Sequence, residues 1–254
     1  MANQLIIRNS YDLKQALRSE VAQNFPDANR RGDGFLIYPK KWRANVLLVS
    51  SKSSYTLSLY PGQNGADHPL DIKLDRNNVA AVSHIGLTIQ KQNVALTPSR
   101  YFAPFTWPDA NYFAGRSAAG TAATEAESLE NIYNGTFTLR ISNVDVMKGI
   151  ANNLFRWVPE RTYEIADAEG PQLENVYGQW GYELEQQGLF FIGGLQYLNG
   201  QQNNDIVVNL SDGDYTNIAG QIDNAGEAVD TRNLLTVTLF GFEIADAATA
   251  QPKF

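Results

Sequence analysis

The chain has 254 residues, no cysteine, and a formal net charge of -7 with a pI near 4.9. A chain of this length buries a core without disulfides, and lacking cysteine it has no disulfide framework, thiolate metal site or cysteine nucleophile. The acidic balance repels phosphate backbones, so nucleic-acid binding would need a local basic patch. The densest basic runs, Arg30-Arg31 and Lys40-Lys41-Trp42-Arg43, are short and read as solvated surface.

No apolar run approaches bilayer length, and the N-terminus lacks a charged-then-apolar signal pattern. The expectation is a soluble chain that is not exported. Asn and Gln number 23 and 15 beside 20 Lys and Arg, with 12 Tyr, 12 Phe and 4 Trp. Interfaces are depleted in Lys and Glu and enriched in aromatics, so this balance suits a protein packed against copies of itself.

A short apolar lead, Leu5-Ile6-Ile7, precedes one amphipathic helix from Ser10 to Gln23. Ser10 suits the N-cap and Asp12 the first turn. Leu13, Ala16, Leu17 and Val21 form one stripe at helical spacing, and Phe25-Pro26-Asp27 ends the element. Such a helix docks on its own chain or on a neighbour.

From Gly34 the pattern is β. Phe35–Tyr38 is an apolar run closed by Pro39, followed by strands at Asn45–Ser50 and Tyr55–Tyr60. In the second, Tyr55, Leu57 and Leu59 share a face. Asn64-Gly65 turns the chain toward an alternating Leu70–Leu74. The longest strand pattern is Val79–Lys91, with Val79, Ala81, Ser83, Ile85, Leu87 and Ile89 on one side and His84, Thr88 and Gln90 on the other.

Next comes a loop-like aromatic tract, Tyr101–Phe113, whose two prolines argue against a regular central strand. Arg116–Thr124 reads as a small-residue loop. Tyr133–Ser142 returns to β after the Asn134-Gly135 turn, and Gly135 is expected to hold positive φ there. Val144–Asn152 reads as a short helix broken by Gly149. Leu154–Val158 and Thr162–Ile165 flank Pro159, and 166–187 is acidic and irregular around a strand at Gly181–Leu184. Leu189–Ile192 and Ile206–Leu210 are apolar runs separated by Gly193-Gly194 and Asn199-Gly200, both signals for backbone reversal. Ile206, Val208 and Leu210 form an apolar face. After a polar loop at Asn217–Arg232 the last strand is Leu234–Ile244.

Short strands separated by Asn-Gly and Asp-Gly turns, without alternating helices, predict an all-β sandwich or barrel. Eight strands at this spacing need about 100 residues, so the roughly 220 after the helix suffice for two small barrels or one with long insertions.

Candidate chemistry is sparse. His68 and His84 are the only histidines, there is no G-x-S-x-G elbow and no H-x-x-x-H pair. Both histidines read as packed or interface residues. Glu183 and Glu185 would share a strand face and could serve glycoside hydrolysis, but a solvated face explains them as well. Asp212-Gly213-Asp214 with Asn217 breaks the EF-hand rule of Gly at the sixth position, leaving only an irregular calcium site near Asp212 and Asp214. Arg31-Gly32-Asp33 is too short to be specific. The sequons at Asn134 and Asn209 matter only on export. Tyr101, Phe102, Phe105, Trp107, Tyr112 and Phe113 are the candidate subunit-contact aromatics, or else a sugar-stacking platform. No catalytic residue, cofactor site or definite metal site is expected.

The run Ile132–Val146 (IYNGTFTLRISNVDV), the segment Val158-Pro159-Glu160-Arg161-Thr162, the strand pair of 188–210 and the closing Leu235–Ile244 resemble the double jelly-roll major capsid proteins of tailless, membrane-containing bacteriophages. The likeness covers the second half of the chain, and the first half only through its strand pattern. It implies an N-terminal arm and helix over 1–30, a first jelly roll over 31–150 and a second over 151–254. It further implies a structural virion protein made in the host cytoplasm and no enzyme. Homotrimers of pseudo-hexagonal outline would tile an icosahedral shell beside penton or minor proteins. The helix would lie near an inner membrane, loops 107–128 and 212–232 would face outward or cover neighbours, and no sequence-specific nucleic-acid binding is implied. The competing expectation is a carbohydrate-binding jelly roll that uses the 101–113 aromatics.

Overall fold

The computed structural model describes residues 10–24, 37–50, 52–60, 68–94, 99–110, 112–113, 124–157, 188–220 and 231–247. These contain two helices, α1 (Ser10–Asn24) and α2 (Glu125–Tyr133). Their strands are β1 (Ile37–Leu47), β2 (Ser54–Ser58), β3 (Val79–Asn93), β4 (Arg100–Tyr101), β5 (Thr136–Ile141), β6 (Val144–Ala151), β7 (Leu189–Asn199), β8 (Asn204–Asn209) and β9 (Thr231–Ile244).

The pairing is nested. β1 pairs with β9, β2 with β8, β3 with β7 and β5 with β6, all antiparallel. This is one long ribbon folded back on itself at Ser142-Asn143, where both residues hold positive φ (48° and 66°), as a two-residue hairpin turn requires. The ribbon then rolls up, because β9 also pairs with β3 and β8 with β5. Two antiparallel sheets result: β1-β9-β3 with β4 and β7 on the far side of β3, and β2-β8-β5-β6. That nested order is the strand order of a jelly roll.

The all-β expectation therefore holds, but the expected division at residue 150 does not describe the pairing. β9 lies between β1 and β3, and β8 between β2 and β5. Each sheet draws on both sides of that residue, so the described strands close one jelly roll rather than two. The surplus length goes into long strands, with 11, 15 and 14 residues in β1, β3 and β9.

The inner faces meet in one apolar core. Ile85, Leu87 and Ile89 of β3 and Leu235, Val237 and Leu239 of β9 oppose Tyr55, Leu57, Phe137, Leu139, Ile206 and Val208 of the second sheet. Full burial of such side chains stabilises by about 1.5–3 kcal/mol each. The alternation expected in β2 and β8 is the one observed, with Tyr55, Leu57, Leu59, Ile206 and Val208 all buried.

In β3 the alternation changes sides. The register with β9 slips between Val82 and His84, a bulge at Ser83. Ile85, Leu87 and Ile89 face the core, while Val79 and Ala81 join Phe242 and Ile244 on the outer face. There Leu17 and Val21 of α1 cover them, and Asn24 Nδ2 donates to the Tyr197 hydroxyl at 2.7 Å. The helix docks on its own chain.

Other differences have local causes. β1 runs on through Pro39 because it is an edge strand, where a missing N–H is tolerated. Residues 144–151 form strand β6 instead of a helix, since the hairpin turn delivers them to β5 and Met147 and Ile150 pack on the core. α2 was not expected at all. Leu70–Leu74 reduces to a single bridge, Ile72 to Arg43. Asn152–Phe155 is a 3-10 turn. Gly193-Gly194 is no reversal but a bulge inside β7, with Gly193 at φ +82°, and the reversal is left to Asn199-Gly200. Expectations at Leu5-Ile6-Ile7, Arg30-Arg31, Arg31-Gly32-Asp33, Asn64-Gly65, residues 116–123, 158–187 and 221–230 lie outside the described residues.

Candidate functional site

The aromatic tract runs back along the end of β3. Tyr101 pairs with Gln92, and Phe105 and Ile89 exchange both backbone hydrogen bonds at 2.8 Å. Pro104 and Pro108 supply no N–H to a ladder, and the segment is ordered through its rings instead. Phe105 lies 5.3 Å from Trp107, 4.4 Å from Tyr112 and 5.7 Å from Phe113, between ring centroids. Phe102 stands edge-on to Tyr112 at 6.5 Å. Phe113 is fully buried, and Phe105 and Tyr112 pack against the main core. Hence Phe113 is unavailable to a neighbouring subunit or a sugar, because its own chain covers it. Of the six candidate contact aromatics, Tyr101, Phe102, Phe105, Trp107 and Tyr112 are all half-buried, Phe105 and Tyr112 with one side against the core.

Behind the tract lies a polar cluster that the sequence reading missed. α2 begins with a capping box: the Thr124 hydroxyl accepts from Glu127 N at 3.2 Å and Thr124 N donates to Glu127 Oε2 at 2.6 Å. The cap starts the helix so that its first residue, Glu125, turns inward and is 1% exposed. Lys91 Nζ sits 3.3 Å from each Glu125 carboxylate oxygen. Asn233 Nδ2 donates to Glu125 Oε1 at 2.7 Å and to the Ile218 carbonyl at 3.2 Å. The Lys91 ammonium also lies over the rings of Tyr112 and Phe113, at 5.4 and 5.2 Å. A buried carboxylate without such partners would be destabilising by several kcal/mol. The signal was present in the sequence. Lys91 continues the Leu87–Ile89 parity and Asn233 the Leu235–Val237 parity, so each is a polar residue on an apolar face. Thr124-x-x-Glu127 is a capping-box spacing.

A second buried carboxylate, Glu243, closes the other end of the sandwich. It accepts from the Tyr38 hydroxyl and from Asn78 Nδ2, each at 2.7 Å, and pairs with Lys40. The hydrogen bond to Glu243, helped by burial, pushes the Tyr38 hydroxyl up to about 12.

The remaining candidates do not converge. His68 Nδ1 accepts from Leu70 N at 3.2 Å, the ring meets Tyr101 edge-on, and burial lowers its pKa. His84 is buried against Phe191 and Phe240, with Nδ1 2.8 Å from Ser83 Oγ. Asp212 and Asp214 are exposed, and Asp214 Oδ1 accepts from Thr216 N at 2.8 Å. Among the described residues no three His, Asp or Glu side chains gather as a metal site, and no helix is long and apolar enough to cross a membrane. Glu183 and Glu185 lie outside the described residues.

No family model matches the chain, no curated protein matches it, and no solved structure matches it.

Proposed function

We propose that the chain is a structural virion protein, a coat subunit that works by assembling with copies of itself rather than by turning over a substrate. One observation carries this reading: the described strands pair in a nested order like that of a jelly roll, and side chains such as Trp42, Tyr55, Phe137 and Phe155 pack between the two sheets. Jelly rolls of this kind serve as capsid and lectin domains. A filled interior leaves function to the outer surface. The motif resemblance and the Asn/Gln-rich, aromatic composition point the same way.

In this proposal the subunits form homotrimers that tile an icosahedral shell, with penton or minor proteins as further partners, assembled in the host cytoplasm. A pseudo-hexagonal trimer needs two barrels per chain. With the described strands forming one barrel, the trimer proposed here has a triangular outline. Leu17 and Val21 are turned to the chain's own sheet, so α1 acts as a brace, and a membrane beneath the shell would meet polar residues such as Gln15, Arg18 and Glu20.

The test is the mass in solution, by light scattering after size exclusion, with electron microscopy of the same fractions. A stable particle of three 28.1 kDa chains with a triangular outline is the expected result. A chain that stays monomeric when concentrated, and whose Trp107 fluorescence responds to glycans, would replace this reading with the carbohydrate-binding one.

A further inference from the structure

We propose that Lys91 and Asn233 become joined by an isopeptide bond, with Glu125 as the group that moves the proton. The link would be a covalent staple between β3 and β9.

Four observations converge on it. Lys91 and Asn233 are cross-strand partners in the β3–β9 ladder. Both continue the inward-facing parity, so their side chains leave the sheet on the same face. Glu125 Oε1 touches the amine nitrogen at 3.3 Å and the amide nitrogen at 2.7 Å, so one carboxylate oxygen bridges the nucleophile and the leaving group. The site is largely shielded from water: Glu125 is 1% and Asn233 0% exposed, the Lys91 side chain is 14% exposed, and the rings of Tyr112 and Phe113 lie against the amine. Finally, the two ends of the Asn233 amide are treated unequally. Its Nδ2 has two acceptors, whereas its Oδ1 is buried with no hydrogen-bond partner among the described residues. Asn152 and Asn204 share this asymmetry without a lysine beside them, so at Asn233 it counts only together with the amine and the carboxylate.

The chemistry needs no oxidant and no further reactant. Glu125 takes one proton from the Lys91 ammonium, leaving a neutral amine. The amine lone pair attacks Asn233 Cγ, forming the Nζ–Cγ bond while the carbonyl electrons move to Oδ1. Glu125 passes its proton to Nδ2 and receives the second proton shed by Nζ. Collapse of the tetrahedral centre restores the carbonyl and breaks Cγ–Nδ2. Ammonia departs and takes that second proton, leaving as ammonium, and Glu125 ends as the carboxylate it was. Holding amine and amide in register replaces a bimolecular encounter, an advantage that reaches effective molarities of about 10⁵–10⁸ M in well-oriented pairs. Shielding from water keeps water from competing with the amine for Asn233 Cγ.

The proposal rests on the fold and is independent of the coat-protein reading. It is tested by intact-mass measurement of the denatured full chain, after the folded protein has been held at neutral pH until its mass stops changing. The expected mass is lower than the sequence mass by one ammonia, about 17 Da, with one branched peptide carrying both Lys91 and Asn233 after proteolysis. Glu125→Gln and Lys91→Arg should both keep the full sequence mass. Lys91→Arg retains a cation beside Glu125 and over the rings, which keeps the test usable if Glu125→Gln fails to fold. A folded wild-type chain at full mass, with Lys91 and Asn233 in separate unmodified peptides, overturns the proposal. A Glu125→Gln chain that still loses ammonia overturns the role given to Glu125.

Discussion

At Gly135 a single missing carbon decides whether two elements can meet. A Cβ built there would lie 1.9 Å from the Asn209 carbonyl oxygen. The expectation of positive φ was wrong, since Gly135 is not among the residues in the left-handed region. Its glycine is required by close approach between the end of α2 and β8, which no dipeptide signal encodes. Gly135→Val should therefore destabilise by about 3 kcal/mol or more, read as a fall in the urea midpoint. A midpoint equal to that of the parent would show that the two backbones can part freely. Tyr38 gives a second residue-scale expectation. Its hydroxyl is raised from 10.0 to about 12, so the folded state holds this proton more tightly than the unfolded chain does. The associated stability is complete below pH 10 and is lost as pH rises through 12. Glu243→Gln removes the main cause, and an ultraviolet titration should then show one tyrosine ionising nearer 10. An unchanged titration curve would contradict the Tyr38–Glu243 hydrogen bond.

Elements differed in how openly the sequence declared them. β2 and β8 were legible because one face is apolar at every second position, and burial follows that period, while β9 was legible as a long β-prone apolar run and is buried along nearly its whole length. β3 was legible as a strand but not in its facing, because a one-residue bulge at Ser83 inverts the alternation without altering composition. β6 was misread because Val144–Ala151 mixes polar and apolar residues without a clean period. Its conformation is set by β5, a tertiary partner, and by the Ser142-Asn143 turn. α2 was overlooked although its capping box stood in the sequence at Thr124 and Glu127, and with it the Glu125 site was lost. The cap contributes measurably: Thr124→Ala is expected to lower stability by about 1 kcal/mol in chemical denaturation. Because the cap also aims Glu125, that variant should slow or prevent the Lys91–Asn233 link. Ammonia loss at the wild-type rate would separate the cap from the aim.

On the scale of the whole molecule, the nested ribbon joins strands from opposite ends of the described chain. β1 pairs with β9, and β2 with β8. Periodicity could announce strands but not this order, because pairing depends on which faces close over a shared core, and that information is spread over the chain. Such non-local pairing must overcome loop-closure entropy before it is rewarded. Refolding from urea should accordingly take milliseconds to seconds rather than microseconds, as stopped-flow fluorescence would show. A microsecond phase recovering the full signal would contradict the nested order.

Ile37 and Ile244 are partners in the same rung of the β1–β9 ladder. A force applied at these two points would open that ladder one rung at a time, as a zipper opens, rather than load all its hydrogen bonds together in shear. Asn233 lies near the opposite end of β9, so a Lys91–Asn233 link would not stiffen the first rungs. It lies in the neighbouring β3–β9 ladder, so it would leave β1 free to peel away and then hold the far end of β9 to β3.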